Sequence, residues 1–202
     1  MGTQLPRHSS TVESHQINRG EFSPEERNQL LRLAHESILS ALENREIPPD
    51  PPTPHFAERR GAFTSLYVHG RLRGCVGYVL PISSVYRAVA DTARAAAFQD
   101  TRFYPVTVSE VRDLQVELSI LSPPQPIRAE EIEIGRHGLL ISMGGYRGLL
   151  LPQVPVEHHW DRETFLEQTC RKAGLPADAW NNGADIEAFT AEVFGEKHEA
   201  ED

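Results

Sequence analysis

The sequence feature that most constrains the fold is the run of residues 71–78, which holds two arginines, two glycines and the cysteine Cys75. Aromatic and β-branched residues precede it at 62–68, and a His-Gly pair at 69–70 supplies a turn. This pattern predicts a β-hairpin whose second strand covers residues 72–80. Glycine inside a strand indicates a bulge or the close approach of another group. We therefore expect Cys75 in a strand beside an irregularity.

Helix start signals lie on both sides of this hairpin. Ser23 and Glu26 form a capping box that predicts a helix ending near Arg45. Ser83 and Asp161 are the N-caps predicted for two further helices. The other predicted elements are strands at 115–121, 138–143, 148–151 and 185–194, and a polar loop at 152–160.

The two ends of the chain are predicted to lie outside the folded unit. Residues 1–21 are polar and aperiodic, which predicts a mobile tail, and residues 197–202 form an acidic end. Five prolines among residues 47–54 predict an extended strap on the surface. The sequence therefore predicts one folded unit over residues 22–196.

Composition excludes several classes of protein. With 39% hydrophobic and 24% charged residues the chain is typical of globular proteins. Its net charge of −9 argues against nucleic acid as a partner, because non-specific affinity comes from neutralising phosphates. Residues 59–121 nevertheless hold eight arginines against five acids, which is compatible with a small anionic ligand. No apolar stretch is long enough for a membrane span, and two cysteines without paired spacing favour a reducing cytoplasm.

Cys75 is the main candidate for chemistry. Neighbouring guanidinium charge favours a thiolate, and alternate residues of a regular strand share a face, so Arg71 and Arg73 align with the thiol unless a bulge intervenes. Gly74 and Gly77 leave room for a ligand beside it. The alternative is that Cys75 is a small buried hydrophobic residue. The octet alone leaves both interpretations open.

Four more residues are candidates for a site. Asp100 and Arg102 form either an ion pair that shapes a cleft and binds a ligand carboxylate, or an ordinary surface salt bridge. Glu157 is a candidate general base and Trp160 a stacking platform, the alternatives being an acid favoured by a helix N-terminus and a core tryptophan. The adjacent histidines at 158–159 point in divergent directions, so no metal site is predicted.

Several segments together match the motifs of a known family. They are Leu72-Arg73-Gly74-Cys75-Val76-Gly77, Asp100-Thr101-Arg102-Phe103 with Pro105, the hairpin at 138–151 with Leu151-Pro152-Gln153-Val154, Glu157 with Trp160, Phe165-Leu166, and Lys172-Ala173-Gly174. In this order they resemble the AMMECR domain family. Its bacterial and archaeal members are called AmmeMemoRadiSam system protein A, because they occur with a Memo-type protein and a radical-SAM protein. The likeness covers residues 24–196.

The resemblance implies more about fold than about function. It implies an α+β fold of two unequal lobes, built on mostly antiparallel sheets with packed helices, and a cleft between the lobes lined by residues 72–77. Radical-SAM and Memo-type proteins are the partners that it implies. It specifies no reaction, and the cofactor is unknown.

Three functions are therefore carried forward as hypotheses. The first is an enzyme or enzyme component that uses Cys75 on a small anionic molecule, with Arg73 and Arg102 holding the anion. The second is an accessory or scaffold protein that docks a radical-SAM or Memo-type partner. The third is a nucleic-acid module, suggested by the local excess of arginine and opposed by the overall acidity.

Overall fold

The structure is a computed structural model that describes residues 21–47 and 53–196. The predicted tail up to residue 20, the prolines at 48–52 and the acidic end at 197–202 lie outside this part of the chain. None of the described helices is long and apolar enough to cross a membrane. In order, the elements are α1 (Pro24–Leu42), β1 (Arg59–Val68), β2 (Arg71–Ser84), α2 (Val85–Phe98), β3 (Leu114–Leu121), β4 (Gln125–Pro126), β5 (Gly138–Met143), β6 (Tyr146–Leu150), α3 (Gln153–Glu157), α4 (Arg162–Lys172), β7 (Asp185–Phe189) and β8 (Ala191–Gly195).

The strands form two antiparallel sheets, which confirms the predicted α+β class. The larger sheet has the order β2-β1-β3-β8 and the smaller one the order β4-β7-β5-β6. Each sheet has its own hydrophobic cluster, one built around residues such as Leu66 and Leu118, the other around Leu139 and Phe165. The molecule thus consists of two unequal lobes.

Helices cover one face of the larger sheet. Helix α2 lies against β1 and β2, and α1 packs against α2 and β3. The capping box predicted at Ser23 is present, with the Ser23 side chain accepting from the N–H of Glu26. Small residues of α2 such as Ala96 allow the strands to approach closely. A Cβ on Gly74 of β2 would lie only 2.1 Å from the carbonyl oxygen of Ala96, so this contact requires glycine.

The other side of the larger sheet is only partly covered, and we call it the open face. Its residues alternate along the strands with the buried ones and are half-buried. Ser65 of β1 lies at its centre, because it pairs with Cys75 on β2 and with Glu117 on β3. The open face consists of Phe63, Ser65, Tyr67, Cys75, Gly77, Glu117 and Ser119, continued on β8 by Val193.

Three sequence predictions about element boundaries were wrong. Residues 185–194 form two strands in different sheets, because the chain crosses between the lobes at Thr190. Residues 152–160 contain the short helix α3. Ser84 rather than Ser83 caps α2, since β2 continues one residue further and the Ser83 hydroxyl contacts the phenol of Tyr78 at 2.7 Å.

Candidate functional site

Strand β2 is irregular where the sequence predicts a glycine-associated bulge. Leu66 of β1 pairs with Gly74, while the next residue of β1 pairs with Leu72, so Arg73 is an extra residue without a partner on β1. A bulge of this kind reverses the alternation of side chains beyond it. The alignment of Arg71 with Cys75, expected for a regular strand, is therefore not met.

Arg73 of β2 forms hydrogen bonds with the segment that follows α2. Its guanidinium donates to both carboxylate oxygens of Glu110, at 2.8 and 3.3 Å, and to the carbonyl oxygens of Tyr104 (2.6 Å) and Pro105 (3.2 Å). The hydrogen bonds from Arg73 are the main reason that the pKa of Glu110 is lowered to about 2. With its donors engaged in this way, Arg73 has little capacity left to hold a ligand anion.

The predicted ion pair between Asp100 and Arg102 is present, and it surrounds the backbone of Cys75. The Cys75 N–H donates to the Asp100 carboxylate at 2.9 Å, and Arg102 donates to the Cys75 carbonyl oxygen at 3.2 Å. Two further hydrogen bonds, of 2.9 and 2.7 Å, join the Arg102 guanidinium to the two Asp100 oxygens. Since β2 is an edge strand of its sheet, these side chains occupy backbone groups that a neighbouring strand would otherwise pair.

This arrangement keeps Asp100 ionised. The hydrogen bonds from Arg102, followed by the one from the Cys75 N–H, hold the pKa of Asp100 well below its ordinary value of 3.8. The Arg102 side chain remains 60% exposed. One carboxylate therefore fixes the Cys75 peptide and orients a guanidinium that solvent and ligands can still reach.

The Cys75 thiol lies on the open face and is half-buried. Its sulfur accepts a hydrogen bond from the Ser65 hydroxyl at 3.3 Å. Tyr67 also lies on the open face. Burial, and then the charge of Glu117, raise the pKa of its phenol.

Ser65, Tyr67 and Glu117 were not among the site residues predicted from the sequence. The first two occupy alternate positions of the predicted first strand, which is a signal that they share a face. What the sequence lacks is the register that brings Glu117 of a distant strand beside them. The other cysteine, Cys170, is fully buried, and burial raises the pKa of its thiol.

A cavity of about 1120 Å³, the inter-lobe cavity, separates the larger sheet from the second lobe. Glu157 lies in its wall, whereas Cys75 does not. Strand β2 is at one edge of the larger sheet and β8 at the other, and it is β8 that adjoins the second lobe. This cavity is consequently not the cleft predicted over residues 72–77. Its wall consists of Glu21, Arg27, Glu117, Ser119, Ile120, Ser122, Gly135, Arg136, Pro152, Gln153, Val156, Glu157, Thr190, Ala191, Glu192 and Val193.

Trp160 and its neighbours lie apart from Cys75. The indole is half-buried, packs against the core of the second lobe and stacks on the ring of His158, with the centroids 4.7 Å apart. Glu157 is exposed at the end of α3, not at the start of a helix. The structure thus does not bring Glu157 and Trp160 together with Cys75 in one site.

One group of side chains in the described ranges has the spacing of metal ligands. Potential ligand atoms of Glu21, His55 and Glu58 lie within 4.8 Å of one another. The guanidinium of Arg60, which is 5% exposed, already forms ion pairs with both carboxylates. Arg60 therefore supplies the positive charge that a metal ion would bring, and the group ties the start of α1 to β1.

Together these features define a two-lobed α+β protein whose most distinctive segment is the glycine-flanked strand around Cys75. The family model described as AMMECR1 matches residues 31–194. The chain belongs to the AMMECR1 family.

Curated relatives and a solved structure agree with this assignment. A protein of Thermococcus gammatolerans is 43% identical over 183 residues, covering 84% of this chain and 89% of its own. Protein MK0488 of Methanopyrus kandleri is 43% identical over 193 residues, covering 90% of each. The crystal structure of uncharacterized protein PH0010 from Pyrococcus horikoshii is similar, with a TM-score of 0.66 and 41% identity, covering 84% of this chain and 90% of that one.

Proposed function

We propose that the chain is an enzyme or enzyme component that uses the Cys75 thiol on a small molecule bound at the open face. One observation carries the proposal: the half-buried thiol accepts a hydrogen bond from Ser65, and its peptide is held at both N–H and C=O by Asp100 and Arg102. A fixed, hydrogen-bonded and accessible sulfur has the properties of a nucleophile or redox thiol.

The electrostatics favour a ligand that carries an anionic group. The Arg102 guanidinium is exposed and donates to the Cys75 carbonyl oxygen, and its hydrogen bonds with the Asp100 carboxylate raise its pKa above the ordinary value. An anion bound to this guanidinium would lie next to the thiol, whereas Arg73 is engaged with Glu110. The proposal assigns the anion to Arg102 and the reaction to Cys75, in a reducing cytoplasm that keeps the thiol free.

The test is the rate at which iodoacetamide alkylates the folded protein as a function of pH, followed by mass spectrometry of the two cysteine peptides. We expect Cys75 to react in the folded protein, because its thiol is only half-buried. Cys170 is the control within the same chain, because its buried thiol should react only after unfolding. A Cys75 thiol that also reacts only after unfolding contradicts the proposal.

A second candidate function is the docking of a radical-SAM or Memo-type partner. It is favoured by two exposed apolar side chains in the segment held by Arg73, Tyr104 at 89% and Val108 at 71% exposure. Contiguous exposed apolar side chains are typical of interaction surfaces, and these two belong to one short segment, residues 104–108. No observation on the described residues favours the nucleic-acid module.

Co-precipitation with purified radical-SAM and Memo-type proteins from the same genome separates the two candidates. If docking is the function, Tyr104→Ser weakens co-precipitation and Cys75→Ser leaves it unchanged. Tyr146→Ser, which changes an exposed tyrosine on β6 of the second lobe, is the matched control. Absence of co-precipitation with either protein removes the docking candidate.

A further inference from the structure

The inter-lobe cavity is a second place where the molecule can bind a ligand. Sites of small molecules are commonly cavities between lobes, with apolar walls and a few polar groups that orient the ligand. This cavity has a volume of about 1120 Å³ and takes its walls mainly from β3 and β8 of the larger sheet and from α3 of the second lobe. Cys75 is not in its wall, although Glu117, Ser119 and Val193 of the open face are.

The charges in the wall are predominantly negative. Four carboxylates line the cavity, those of Glu21, Glu117, Glu157 and Glu192, against the two guanidiniums of Arg27 and Arg136. Two of these carboxylates are already paired, Glu192 with Arg27 and Glu21 with the buried Arg60, so the charge open to a ligand is narrower than the count suggests.

Both guanidiniums are already paired within the protein. Arg27 contacts Glu192 at 2.8 Å, and Arg136 contacts Glu133, outside the cavity, at 2.8 Å. Glu157, in contrast, is exposed, and its carboxylate has no ion-pair partner in the described part of the chain. Glu157 is therefore the group in the wall that is best able to accept a cationic ligand.

Apolar side chains make up the rest of the wall. Val156 of α3 and Val193 of β8 are 51% and 58% exposed, although both border the same cavity. Ile120 and Pro152, which also border the cavity, are themselves buried. A ligand that covers exposed apolar side chains in a cavity gains binding free energy, because it removes their surface from water.

We propose that the inter-lobe cavity binds a small organic cation with an apolar body, whose ammonium group contacts Glu157 while its hydrocarbon part covers Val156 and Val193. This site does not use the Cys75 thiol, although Glu117, Ser119 and Val193 belong both to its wall and to the open face. Its ligand differs from the anionic one expected near Arg102, because its charged group contacts the carboxylate of Glu157.

The test uses three probes of similar shape and different charge: benzylammonium, benzyl alcohol and benzoate. Each is titrated into the ¹⁵N-labelled full chain, and the backbone amide shifts are followed by NMR. We expect benzylammonium to bind best and benzoate worst, with the largest shifts at Val156, Glu157 and Val193. Added salt should weaken the binding of benzylammonium and leave that of benzyl alcohol unchanged.

Two variants locate the charge and the apolar contact. Glu157→Gln should lower the affinity for benzylammonium about fivefold, as expected for an exposed ion pair of about 1 kcal/mol, without affecting benzyl alcohol. Val156→Thr should weaken both of these probes. Glu163→Gln, which changes an exposed carboxylate on α4 outside the cavity, is the matched control.

Three results would overturn the proposal: benzoate binding as well as benzylammonium, shifts that map away from the cavity wall, or no shift up to the solubility of the probes. The alkylation of Cys75 is measured in parallel on Glu157→Gln. Its rate should be unchanged, so that failure of this site and failure of the thiol proposal are distinguished.

Discussion

At the scale of single residues, Asp100 links the strand that carries Cys75 to the exposed Arg102. Its carboxylate accepts from the backbone N–H of Cys75 and from the guanidinium of Arg102. The sequence predicted that Asp100 and Arg102 would pair, because they are two residues apart. It could not predict that the pair forms hydrogen bonds with the backbone of Cys75, because these bonds depend on how the segment after α2 packs against the edge strand β2.

Replacing Asp100 by Asn should destabilise the protein in a pH-dependent way. The pKa of Asp100 is lower in the folded protein than its ordinary value of 3.8. The carboxylate therefore stabilises the fold fully above pH 3.8, and this contribution is lost as the pH falls through the folded-state pKa. We expect the difference in melting temperature between the wild type and Asp100→Asn to be large at neutral pH and to shrink on acidification.

Thermal unfolding followed by circular dichroism over this pH range measures the effect. Asp113→Asn is the control, because Asp113 is an exposed acid at the end of the same segment. Equal melting temperatures for wild type and Asp100→Asn at neutral pH would mean that the ion pair contributes nothing to the fold.

Among the elements, the contact between β2 and α2 shows what local pattern can predict. The hairpin and its turn followed from alternating strand residues and a His-Gly pair, and the structure confirms them. For the bulge at Arg73, the sequence indicated only that a bulge in this strand would disturb the alignment of the arginines with Cys75. Its position depends on pairing with β1 and on the ion pair with Glu110, neither of which sequence periodicity reports.

The glycine at 74 is predicted to be essential for this contact. Gly74→Ala would place a Cβ against the backbone of α2 at Ala96, where no flexible side chain can move aside. We expect a loss of about 1–3 kcal/mol in the free energy of unfolding, which is usual for overpacking a rigid contact. Urea denaturation measures it.

Cys75→Ala is the matched control for this substitution, because the neighbouring side chain lies on the open face of the same strand. It should cost less than Gly74→Ala. The reverse order would show that β2 and α2 can move apart to admit a methyl group.

On the scale of the whole molecule, the two lobes are joined where the chain crosses between the sheets. One crossing follows β3 at Ser122 and the other separates β7 from β8 at Thr190. The two crossings are hydrogen-bonded to each other, since each backbone N–H donates to the other residue, at 2.9 Å in both cases. The sequence predicted one strand over residues 185–194, because the partner of Thr190 lies 68 residues away and leaves no local signal.

We predict that the lobes unfold in a single transition, as one folded unit over residues 22–196 requires. Leu118→Ala in the first core and Leu166→Ala in the second remove fully buried side chains, and each should cost about 2–5 kcal/mol. Calorimetry should give one peak whose calorimetric and van't Hoff enthalpies agree in the wild type and in both variants. Two peaks, of which each variant shifts only one, would define two independent domains.

The paired crossings at Ser122 and Thr190 also have a mechanical consequence. Both residues lie in the wall of the inter-lobe cavity, and they adjoin each other where the chain passes between the sheets. Two chain segments that are hydrogen-bonded to each other at the junction of the lobes resist being pulled apart there, whereas β2 and the Cys75 thiol lie at the far edge of the larger sheet.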